Sequence, residues 1–238
     1  MKRNCIIPQP HLDITKPAGF FLEPAIFGVN DGIVSILALI AGFIAATVET
    51  KLIIIGGLVE IFSGAISMAI GTYISTKSKL EFYENEIRQS QCNITTNPTL
   101  EKKHLIALYR EKGFKGKELK HIVAKIMSNK KVWKQVVVQE ELGLTEYRVS
   151  KPFIAGLVMF FSFVFASFIP LLPFFFHQGT PAFHISAFSG LLVLFFVGMA
   201  RTYFTGKHPI RSGIEMVLIG GIATLIAYSI GTFVGNLF

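Results

Sequence analysis

Residues 27–46 read FGVNDGIVSILALIAGFIAA. The stretch has the length and apolarity of a helix that crosses a bilayer, yet it carries an acid, Asp31, near its start. No Lys or Arg lies between Lys16 and Lys51 to neutralise it. A charged Asp at the centre of a bilayer costs about 2.5–3.5 kcal/mol on insertion scales. Such a residue is there for a task, or it lies nearer the surface than the run suggests.

Composition sets the class. Of 238 residues, 51% are hydrophobic, with 23 Phe and 21 Gly. The mean hydropathy of +0.54 exceeds that of an ordinary soluble domain. Five apolar runs have spanning length: 27–47, 52–75, 153–176, 183–203 and 213–235. The sequence therefore predicts an all-α membrane protein of five transmembrane helices with a small cytoplasmic helical domain between helices 2 and 3. The expected layout is an N-terminal cytoplasmic segment (1–26), helices 1–2 (27–75), the polar domain (76–151) and helices 3–5 (152–238). The polar, proline-broken start, PQPHLDITKP, lacks a signal-peptide pattern.

The net charge is +8, from 23 Lys and Arg against 15 Asp and Glu. Its placement fits a bilayer better than nucleic acid. The N-terminal segment holds Lys2, Arg3 and Lys16, and segment 76–151 holds sixteen basic residues against nine acids. The 176–183 connection and the C-terminus hold no Lys or Arg. By the positive-inside rule the N-terminus and the middle segment are cytoplasmic and the C-terminus lies on the far side, as an odd number of spans requires. Cys5 and Cys92 both fall on the cytoplasmic side, without a zinc or redox spacing.

The middle segment reads as helices. SKLEFYENEIRQ continues from the second span without a breaker. TLEKKHLIALYREKGF has helical apolar spacing, with Thr99 as the expected cap and Gly113 as the stop. KGKELKHIVAKIMSNKK and WKQVVVQEELGL supply two shorter helices.

Two further acids fall in the spans, Glu60 in the second and Glu215 in the fifth, and no Lys or Arg is expected deep enough to pair with them. One such acid can be a helix-to-helix hydrogen bonder. An acid cluster without a basic partner suits a cation or a proton. On the second span Glu60, Gly64, Ser67, Met68, Gly71 and Ser75 share a face. A carboxylate, a thioether and small residues on one stripe fit a first-row transition metal better than magnesium or calcium. Ordinary packing also explains Met68, and small residues also serve a dimer seam.

FGVNDGIVSILALIAG and GGLVEIFSGAISMAIGTYIS resemble the first two spans of the vacuolar iron transporter family, the nodulin-21-like ferrous iron and manganese carriers. KSKLEFYENEI, EELGL, FIPLLPFFF and RSGIEMVLIGG are similar as well, so the resemblance extends over about residues 24–235. It implies a dimer of five-span chains that moves divalent metal out of the cytosol in exchange for protons, with the metal as cargo and no resident cofactor. It implies that Asp31, Glu60 and Met68 are path ligands. Of the family's cytoplasmic ligands, the ungapped alignment keeps Glu101 and Glu141 and places His104 where a glutamate stands. Ser90, Asn93, Val137 and Val138 fall on other ligand positions. Glu81, Glu84 and Glu86 are expected to be a solvated helix face. The alternatives are a same-fold carrier of another substrate and a transport-inactive regulatory or scaffold protein. The expected setting is a bacterial inner membrane or a vacuole-like organelle membrane. No nucleophile–base pair suggests an enzyme.

Overall fold

The computed structural model describes residues 17–136 and 151–237. These divide into two compact units, 1–74 with 150–238, and 75–149. All elements described are helical. The first unit holds α1 (Pro17–Ala45), the start of α2 (Thr50–Thr96), α6 (Pro152–Leu171), α7 (Gly179–Thr205) and α8 (Pro209–Gly235). Five of its helices are long and apolar enough to cross a membrane. In lipid the backbone must satisfy itself, which leaves a helix as the solution for runs of this kind.

The first helix begins earlier than the apolar run. Pro17 opens it, since a first-turn residue needs no N–H acceptor, and Pro24 is accommodated two turns later. α6 also starts at a proline, Pro152. It ends where Pro173 removes an N–H, and the chain tightens into a 3-10 turn, Leu172–Phe175. The buried Ser186 hydroxyl of α7 donates to the Pro170 carbonyl at 2.6 Å, which anchors α7 to the end of α6. Gly206 (φ +65°) closes α7, and its N–H donates to the Thr202 carbonyl. Pro209 then starts α8.

α1 is the hub. It packs against α6, α7 and α8, and Ile33, Ile36, Leu37, Ile40 and Ala41 are fully buried. Lipid tails are as apolar as these side chains, so close packing rather than water exclusion holds the helices together. Small residues allow it. A side chain at Gly198 would meet the Ser212 backbone carbonyl at 2.6 Å, and one at Gly231 would overlap the Gly42 carbonyl. The outward faces carry the phenylalanines, among them Phe165, Phe188, Phe196 and Phe233, all exposed.

The second unit holds the remainder of α2, α3 (Pro98–Glu111), α4 (Gly116–Met127) and α5 (Lys130–Val136). α2 runs across the division without a break, as the missing breaker predicted. Leu105, Leu119, Val123, Ile126 and Trp133 form the core of this unit. Thr99 is not the cap of α3: Asn97 precedes the helix, Pro98 opens it, and Thr99 lies inside. Proline's fixed φ favours that first position, which places the start one residue ahead of the expected cap. Gly113 (φ +98°) does stop α3, with the Phe114 N–H returning to the Tyr109 carbonyl.

Candidate functional site

Asp31 is half-buried on α1, followed by a glycine that lies against α6. A Cβ at Gly32 would meet the Ser167 hydroxyl oxygen at 2.6 Å and the Phe163 carbonyl at 2.7 Å. One turn earlier, Gly28 lies against Met159 and Ser162. α1 and α6 therefore run side by side through this level.

α2 approaches α6 from another side. A Cβ at Gly64 would meet the Phe163 ring at 2.8 Å and Glu60 Oε1 at 3.4 Å. Phe163 is 1% exposed. Its backbone touches the glycine that follows Asp31, and its ring lies against the glycine one turn from Glu60. One residue thus sets the separation of the two acid-bearing helices. Met68 is half-buried two turns farther along α2, about 12 Å from Glu60 at 1.5 Å per residue. Its neighbour Ala69 presents a carbonyl to Gly156. On the same stripe Ser67 and Gly71 are exposed, and a Cβ at Gly71 would meet nothing within 4 Å.

Glu215 departs from expectation. It has a basic partner: Arg201 Nη2 donates to its carboxylate at 2.9 Å. The same guanidinium donates to the Ser212 hydroxyl at 2.9 and 3.2 Å. The short turn between α7 and α8 brings positions 201 and 215 opposite each other, and the Gly198–Ser212 approach keeps them close. A carboxylate engaged by Arg is a weaker cation ligand than one facing open space.

In the second unit Glu101 is 3% exposed. It shares the inner face of α3 with Leu105, one turn away. His104, one turn farther along the helix, is exposed. Glu141, Val137 and Val138 lie outside the described residues. Lys77 and Glu81 form an exposed i,i+4 pair at 3.7 Å, the solvated helix face expected there, which contributes little. Among the described residues no three His, Cys, Asp or Glu side chains converge on one point.

Sequence reasoning missed Phe163 and Ser167. The signal was a lone serine in the apolar run FVFASFIP. Periodicity within one helix does not say which neighbour it meets.

Five apolar helices with acids between them define a polytopic α-helical membrane protein. The profile of the VIT family matches residues 22–232, and the chain belongs to that family. Among its relatives, the "Vacuolar iron transporter" of Plasmodium berghei (strain Anka) is 33% identical over 220 residues, 88% of this chain and 81% of that one. The "Vacuolar iron transporter" of Centaurea cyanus is 32% identical over 215 residues, 89% of this chain and 86% of that one. "Vacuolar iron transporter 1" of Arabidopsis thaliana is 30% identical over 225 residues, 94% and 90% respectively. These relatives are named as transporters, and membership of the family excludes an enzyme.

Proposed function

We propose that the chain exports ferrous iron, manganese or both from the cytosol in exchange for protons, working as a homodimer in an organelle membrane. The observation that carries this reading is that two helices bearing carboxylates within spans meet one buried residue: the backbone of Phe163 lies against Gly32, next to Asp31, and its ring against Gly64, one turn from Glu60. Two negative charges balance a divalent cation that has shed water. Met68 adds a softer donor that suits a first-row transition metal. A carboxylate that has taken a proton no longer holds the cation, so metal and proton exclude each other at these groups. That exclusion is the basis of exchange. The relatives' vacuolar names favour the organelle setting, with a bacterial inner membrane as the other one. Glu101, His104 and Glu141 would be what remains of a cytoplasmic collecting site.

The test is metal uptake into proteoliposomes with an imposed pH gradient. Uptake of ferrous iron or manganese with counterflow of protons supports exchange. Uptake without proton movement leaves a facilitator, and no uptake favours the scaffold reading.

The homodimer reading rests on α2. Ile66, Ile70 and Ile74 are exposed alongside Ser67 and Gly71. Among the described residues no ligand cluster closes within one chain, and a second copy facing this stripe would double each donor. With Cys5 and Cys92 replaced by Ser, Gly71→Cys should cross-link to a dimer in native membranes under mild oxidation. A chain that stays monomeric there, while cross-linking through an outward α8 position, would overturn the α2 seam. Orientation has its own check. A tag before Met1 should be digested by protease from the cytoplasmic side and one after Phe238 protected; the reverse result inverts the topology.

A further inference from the structure

Ser167 is fully buried, and its hydroxyl has no hydrogen-bond partner. Several other span hydroxyls find one. Thr224 donates to the Gly220 carbonyl at 2.8 Å and Ser229 to the Leu225 carbonyl at 2.9 Å, each one turn back. Ser186 reaches Pro170. The equivalent acceptor for Ser167 would be the Phe163 carbonyl, and the hydroxyl does not use it. An orphaned donor in a dry core is costly, so such groups have a partner when the protein works.

Its location says which. The contacts Ala69–Gly156, Gly64–Phe163 and Gly57–Leu171 follow one another down α2 and up α6. This antiparallel run sets Glu60 at the level of Ser167. Gly32, the residue after Asp31, lies against the hydroxyl itself. The orphan therefore sits where the two acid-bearing helices meet α6, on a helix to which no path ligand had been assigned.

We propose that the Ser167 hydroxyl is a further polar group of the path, binding a water oxygen between Asp31 and Glu60. This rests on the transport reading above. The water comes either from the cation's hydration shell or from a standing water that passes protons. A hydroxyl can donate to and accept from it, which no neighbouring side chain of α6 at this level does.

The experiment is Ser167→Ala in the full-length chain, reconstituted beside wild type, Asp31→Asn and Ser229→Ala. Ser167→Ala should lower the uptake rate at limiting metal by about tenfold, the size of one lost hydrogen bond. It should melt in detergent close to wild type, because the hydroxyl makes no hydrogen bond to the protein that the substitution would remove. Ser229→Ala should match wild type in both. A raised half-saturating metal concentration identifies the cation's own water. A lowered maximal rate at unchanged half-saturation identifies the standing water. Uptake above about a third of wild type overturns the proposal, which the tenfold expectation of one lost hydrogen bond forbids. If the alanine variant does not fold, Ser167→Cys keeps the volume with a far weaker donor and is read against the same threshold. Should Asp31→Asn also transport normally, the path reading itself fails; loss in Asp31→Asn alone refutes only the role of Ser167.

Discussion

Asp31→Asn and Glu60→Gln should each abolish metal-driven proton movement while leaving an intact protein in detergent. The amides preserve shape and hydrogen-bonding size, but they neither balance a divalent charge nor exchange a proton. Removing one partner of a desolvated charge interaction costs about 2–5 kcal/mol, which is roughly thirty- to several-thousandfold in rate or affinity. Both acids lie within spans, where solvent compensates little of that loss. Met68→Leu keeps volume and removes only sulfur, so it should re-rank metals rather than stop transport, with less than about 1.5 kcal/mol of stability at stake. The readout is a pH-sensitive dye inside proteoliposomes, with each metal added outside. Wild-type rates in both carboxylate variants would make these acids structural, and the scaffold reading would then lead.

Gly231→Val should prevent α1 and α8 from packing. The added side chain would overlap the Gly42 backbone carbonyl, and a carbonyl in a helix cannot rotate out of the way. The two helices must separate along their length, so the cost should exceed the usual 1–3 kcal/mol of overpacking, roughly 3 kcal/mol or more. The variant should aggregate on size exclusion in mild detergent. Gly221→Val supplies the contrast on the same helix. Nothing lies within 4 Å of a Cβ there, so its melting temperature should stay near wild type, within about 0.5 kcal/mol of stability. Equal behaviour of the two variants would mean that α1 and α8 do not approach through Gly42 and Gly231.

The spans were legible because each is a long apolar run, and hydropathy reports that directly. The continuation of α2 was legible because nothing between residues 75 and 96 breaks a helix. Helix starts were less so. Pro17 and Pro98 open helices ahead of the starts expected at residues 27 and 99, because proline fits a first turn. The Arg201–Glu215 pair was hidden by its spacing. Fourteen residues separate the partners, and only the α7–α8 hairpin brings them together. The placements of Asp31, Glu60 and Met68 on their helices followed from sequence. That Phe163 meets both acid-bearing helices, and that Ser167 lies against the glycine after Asp31, depends on contacts between helices that no single-helix pattern records.

The buried indole of α5 has a practical consequence. Trp133 is the sole tryptophan of the chain, 6% exposed, in the core shared by α3, α4 and α5. Excited at wavelengths that tyrosine and phenylalanine barely absorb, the whole molecule emits from this one location, while all five membrane helices stay dark. Loss of packing around Leu105 and Val123 would let water reach the ring and shift its emission to the red. The intact protein thus carries its own optical reporter of the second unit, with no label attached and no background from the bilayer.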